Sequence, residues 1–148
     1  MSAKTWPLAA VFSLIVALPG AAAAQSAGTE TTLYRELGER AGLERLMNHF
    51  VPQLKADPRT AEHFKESKVA HLAKQLTDQV CVITGGPCVY DGASMKDAHA
   101  DYKVRRADFN ALVEQLQNSM DAQAIPFGVQ NRLLALLAPM HRDVINTR

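Results

Sequence analysis

Apolar positions recur every three or four residues through most of this chain, and no stretch alternates apolar with polar at the two-residue period of a strand. Leu43, Leu46, Met47, Phe50 and Leu54 mark one helix that ends near Ala56, with Asp57-Pro58 as its stop. Pro52 lies inside this pattern; it removes one backbone hydrogen bond at the carbonyl of Asn48 and predicts a kink near Val51. Val69, Leu72, Leu76, Val80 and Ile83 define a second long helix, closed by Gly85-Gly86-Pro87. Phe109, Leu112, Val113, Leu116 and Met120 define a third, beginning near Ala107. Val129, Leu133, Leu136, Leu137, Met140 and Val144 define a fourth, running from Pro126 towards Ile145. Shorter helical pieces are expected at Leu33–Leu37, stopped by Gly38, around Ala61 to Phe64, and from Ser94, a good N-cap, to about Ala100. The fold class is all-α.

The N-terminus reads differently. Lys4, an apolar run from Trp6 to Leu18 and the small residues Ala21–Ala24 have the order of a signal peptide, so residues 1–24 are expected to be removed after Ala24. A retained anchor is the alternative, with residues 25–31 as a flexible tether in either case. The domain is then 32–148, of a size for one hydrophobic core. No later segment has the length of continuous apolar sequence that a membrane span needs. Losing Lys4 takes the formal net charge from +1 to zero, and no basic patch argues for a nucleic-acid partner. The expected location is outside the cytoplasm, in the periplasm.

Chemistry concentrates at the break between the second and third long helices. A Gly-Gly-Pro turn followed by Gly92 and a short helix presents a single imidazole, His99, as an axial ligand to iron would be presented; a solvated or core histidine is the plainer reading of such a residue. Cys81 and Cys88 flank the turn. In an oxidising compartment they are placed for a disulfide, and Cys81 serves equally well as a small buried apolar residue. Neither belongs to Cys-x-x-Cys-His, so covalent c-type haem attachment is disfavoured. His49, His63 and His141 lie among polar residues and read as solvated, and no zinc spacing is present.

Leu33-Tyr34-Arg35-Glu36-Leu37-Gly38, Ala56-Asp57-Pro58-Arg59 with Phe64, Thr84-Gly85-Gly86-Pro87 with Tyr90 and Gly92, Met95-Lys96-Asp97-Ala98-His99 and Leu137-Ala138-Pro139-Met140 together resemble the group I truncated haemoglobins. The resemblance covers Leu33 to Ile145. It implies a two-over-two helical sandwich around haem b, with His99 as the proximal iron ligand and Phe64 stacked on the macrocycle. It also implies that Met95 contacts the porphyrin from one turn before His99, and that Val104 and Phe109 line the proximal side and back of the pocket. Lys96 becomes a candidate partner for a propionate, beside the plain reading of a solvated lysine.

On the distal side, Phe50, Val51, Leu72 and Leu76 match pocket positions. Val51 stands where oxygen-binding members carry a tyrosine that donates to the ligand. Losing one such donor is worth about 1 to 3 kcal/mol and predicts fast O₂ release. Gln75 and Gln79 remain as amide donors, and His71 is a rim residue suited to a propionate, or solvated, with a sixth iron ligand as its third reading. The resemblance implies reversible binding of O₂, NO or CO at ferrous haem. The alternative is a redox enzyme, an NO dioxygenase or peroxidase-like protein with a periplasmic electron donor, for which His71 is the only distal acid/base candidate in the sequence reading.

Overall fold

The computed structural model describes residues 32–147, so the expected signal peptide (1–24) and the whole of the tether (25–31) fall outside the described residues. Every regular element among them is helical: α1 (Leu33–Glu36), α2 (Glu39–Ala56), α3 (Ala61–Phe64), α4 (Val69–Ile83), α5 (Met95–His99), α6 (Arg106–Ala122), α7 (Phe127–Leu137), a 3₁₀ turn (Ala138–Met140) and α8 (His141–Val144). Gly38, at φ +82°, makes the left-handed turn from α1 into α2, a conformation in which a side chain is strained.

Helix α2 packs along α4 and also touches α6, while α1 lies on α7 and α5 on α8. The core forms where these pairs meet, from Leu43, Leu46, Met47 and Leu54 of α2, Ala73 and Val80 of α4, Met120 of α6 and Leu133 of α7. All but Ala73 are apolar positions spaced at helical intervals in the sequence, and burying each of these larger side chains contributes about 1.5–3 kcal/mol. Exposed ion pairs add alignment more than energy: Arg132 reaches Glu36 at 2.7 Å between α7 and α1, and Arg59 reaches Glu114 at 2.8 Å between the α2–α3 corner and α6.

Two prolines act in opposite ways. Helix α2 runs through Pro52 without ending, because Pro52 and Asn48 both face solvent and water can serve the carbonyl that loses its partner. Pro139, by contrast, divides the last apolar stripe: α7 stops at Leu137, one 3₁₀ turn follows and α8 resumes at His141. The single helix expected from Pro126 towards Ile145 is therefore three pieces. A proline nitrogen has no hydrogen for the carbonyl one turn back, so the backbone tightens locally.

Residues 84–94 are irregular and lead from α4 to α5. They are tied down by a disulfide between Cys81 and Cys88, whose Cα atoms lie 5.9 Å apart, which decides the reading of the cysteines left open by the sequence. Gly86 sits against this bridge; a Cβ there would meet Cys81 Sγ at 2.5 Å and the Tyr34 ring at 2.6 Å. Tyr34 N–H donates to the Thr84 carbonyl at 3.1 Å, so α1 braces the same turn. Closing so short a loop stabilises the fold by about 2–3 kcal/mol through the unfolded chain. Replacing Cys81 and Cys88 together by alanine is expected to lower the unfolding free energy by about 2 kcal/mol, measured by urea denaturation beside the oxidised parent; equal midpoints and slopes would contradict it.

Candidate haem pocket

A cavity of about 620 Å³ lies between α2, α4, α5, α6 and the α7–α8 segment. Its wall is largely hydrocarbon, with Phe50 and Leu54 from α2, Phe64 at the end of α3, Leu72 and Leu76 from α4, and Leu116 from α6 among its residues. Met95 and His99 of α5, Val104 and Phe109, also expected from the sequence, line it as well.

His99 is oriented by its own helix. Its Nδ1 lies 2.7 Å from the Met95 carbonyl oxygen, which can only accept, so Nδ1 carries the proton and Nε2 keeps its lone pair. The helix that carries it is five residues long and is held at both ends. Ser94 Oγ accepts the Asp97 N–H at 3.1 Å at its start, and Asn146 Nδ2 donates to the His99 carbonyl at 2.6 Å at its end. Asn146 Oδ1 also accepts the Val104 N–H at 2.9 Å, joining the segment after α8 to the wall behind the imidazole.

Two expected wall residues stand elsewhere. Val51 is fully buried in the core and does not line the cavity. Successive residues on a helix point about 100° apart, and the cavity-facing stripe of α2 is Met47, Phe50 and Leu54, so Phe50 takes the place and Val51 turns into the packed interior. His71 is exposed on the first turn of α4 and does not line the cavity.

Other residues join the wall unannounced. Leu137, Met140 and Val144, legible only as core positions of a stripe, face the cavity. His63, read as solvated, also lines it, and its Nε2 lies 3.3 Å from Asp108 Oδ2. The sequence signal that could have found it is its place next to Phe64 in α3. Of the two amides, Gln79 Nε2 approaches the sulfurs of Met95 at 3.2 Å and Met140 at 3.8 Å, whereas the buried Gln75 Oε1 has no partner.

Asp108 sits at the entrance of α6, buried, with Arg105 wrapped around it. Its carboxylate accepts from Arg105 Nε at 3.1 Å, Nη2 at 2.9 Å and backbone N–H at 2.9 Å. The Arg105 hydrogen bonds, aided by His63, hold its pKa down to about 2 against an ordinary 3.8. A carboxylate with a depressed folded-state pKa stabilises the fold above its unfolded value and loses that contribution as pH falls through the folded one. Stability is therefore expected to fall between about pH 4 and pH 2. In Asp108→Asn the fold is weaker at neutral pH and the decline shallower; urea midpoints across this range test it, and parallel curves would refute it.

The residues fit haem b: a largely apolar cavity of about 620 Å³, one imidazole with a free Nε2, and a phenylalanine in its wall. The bacterial-like globin family profile matches residues 32–146. The chain is 26% identical over 114 residues to a group 1 truncated haemoglobin of Tetrahymena pyriformis, covering 77% of this chain and 94% of that protein. It is 28% identical over 125 residues to one from Synechocystis, covering 78% and 98%. The crystal structure of the Tetrahymena pyriformis protein in its Fe(III) form superposes with a TM-score of 0.75, covering 79% of this chain and all of that one at 26% identity. A 2/2 haemoglobin from Synechococcus, in the cyanomet state and with covalently attached haem, shares the fold at a TM-score of 0.74 and 22% identity, over 78% and 99% of the two chains. Short helices α1, α3 and α5 at the expected corners, a cavity between the long helices and the matched profile agree, and the chain belongs to the bacterial-like globin family as a two-over-two truncated globin whose prosthetic group is haem b.

Proposed function

We propose that this globin reversibly binds a diatomic gas, O₂, NO or CO, at ferrous haem iron held by His99. The observation that carries the reading is the 2.7 Å contact from His99 Nδ1 to the Met95 carbonyl, which leaves Nε2 as the nitrogen available to a metal on a largely apolar wall. His99 would hold the iron of bound haem, which would supply the site at which a diatomic ligand binds. The protein's part is to hold the ring and exclude water. Phe64, Leu72 and Leu76 present hydrocarbon, while the Met95 carbonyl fixes the tautomer of the imidazole.

The chain's own chemistry also supports an exported location. The N-terminal order of lysine, apolar run and alanines is that of an export signal, and a disulfide such as Cys81–Cys88 persists where thiols are kept oxidised. The redox alternative draws on one observation: His63, with Asp108 behind it, is an acid/base pair on the cavity wall, the kind of group that peroxidase-like turnover needs.

The test is the absorption spectrum of the purified protein in ferric, ferrous and CO-treated states. A haem spectrum with a CO-shifted ferrous band is expected. His99→Ala is expected to lose most of its haem or its ferrous spectrum, and added imidazole to restore the band; a variant with full haem and an unchanged ferrous spectrum would remove His99 from the site.

A further inference from the structure

Between α4 and α5 the chain runs from residue 87 to residue 93 without a backbone hydrogen bond to any helix among the described residues. The bonds on either side are Gly86 N–H to the Cys81 carbonyl and Ala98 N–H to the Ser94 carbonyl, each at 2.8 Å. Tyr90 Oη donates to the Ala93 carbonyl at 3.0 Å, inside the same stretch. Its covalent tie to α4 is the Cys81–Cys88 bridge. The stretch matters to the pocket, because Tyr90 lines the cavity and the helix that follows carries Met95 and His99.

The bridge is reachable from one side. Cys81 is fully buried, whereas Cys88 is half-buried and is followed by Val89, which is 81% exposed. Arg40 Nη1 donates to Cys88 Sγ at 3.5 Å, and a guanidinium beside a sulfur favours its thiolate. Resting on the haem-binding reading above, we propose that the Cys81–Cys88 bridge is a redox lock on the haem pocket: a dithiol reductant that opens it frees residues 87–94 and speeds the loss of haem. One thiolate of the reductant attacks Cys88 Sγ, and the electron pair of the S–S bond goes to Cys81 Sγ, which takes up a proton. The second thiol of the reductant, as its thiolate, then attacks its partner sulfur in this mixed disulfide. Cys88 leaves as a thiolate facing Arg40, and the reductant departs as a cyclic disulfide, so one disulfide is reduced and one is formed. The segment leading into α5 has then lost its anchor, and a helix of five residues has little stability of its own.

The experiment compares the haem-loaded protein, oxidised and after dithiothreitol, with Cys81→Ala/Cys88→Ala. Haem transfer to an excess of apomyoglobin gives the rate of loss, thiol titration gives the state of the bridge, and amide hydrogen exchange gives local opening. The reduced parent and the double variant are expected to lose haem about tenfold faster than the oxidised parent, the order of magnitude of relieving one short-loop constraint. Dithiothreitol should leave the rate of the double variant unchanged, which separates the bridge from any reaction at iron. Exchange should quicken across residues 87–99 and stay as in the oxidised parent in α2 and α6.

Equal rates of haem loss in the oxidised and reduced parent overturn the proposal, whatever the double variant does. So does a bridge that dithiothreitol cannot open in the folded protein. Exchange that rises evenly through all the helices overturns it too, because the bridge then acts on global stability alone. A parent that takes up no haem fails the haem-binding reading itself, whereas a parent that binds haem and CO and loses haem at one rate in both redox states fails this inference alone.

Discussion

A five-residue helix cannot hold itself together in water, and yet α5 must present an imidazole to a fixed point. Everything around the pocket answers that constraint. The Cys81–Cys88 bridge ties the irregular segment before α5 to the end of α4, Ser94 caps its first turn, and Asn146 anchors the His99 carbonyl. The Met95 carbonyl then selects which ring nitrogen stays free. Backbone geometry, rather than a neighbouring carboxylate, sets the imidazole, so its electronic character is that of a neutral donor.

The cavity divides its polar groups by role. Asp108 and Arg105 form a closed unit at the head of α6, with every strong hydrogen bond satisfied and His63 appended. Similarly, Asp78 is buried on α4 and kept below the usual carboxylate range by Lys74 and, further, by Arg40. Such groups fasten the helices that frame the pocket and leave its interior largely to hydrocarbon.

The long helices were legible because burial writes a three- and four-residue repeat into the sequence, and α2, α4 and α6 run close to where that repeat places them. His99 was legible because a glycine turn and a capped short helix are a local pattern. Facing is harder to read. Val51 and Phe50 are adjacent apolar residues on a largely buried helix, and only packing against α4 and α6 decides which meets the cavity. Likewise, a stripe such as Leu137, Met140 and Val144 looks the same whether it covers other side chains or a ring, and the Asp108 partner of His63 lies far along the chain, where no spacing rule reaches.

Asn146 lies 47 residues after the histidine whose carbonyl it holds. The backbone of α5 is therefore unsecured on one side until that asparagine has been synthesised, and the following Thr147, whose N–H donates to the Val104 carbonyl at 3.1 Å, completes the clasp. The disulfide, closed over a separation of seven residues, needs only the middle of the chain. The two ties on the proximal segment thus differ in reach: the disulfide closes within the middle of the chain, whereas the hold on the His99 carbonyl needs the C-terminal residues.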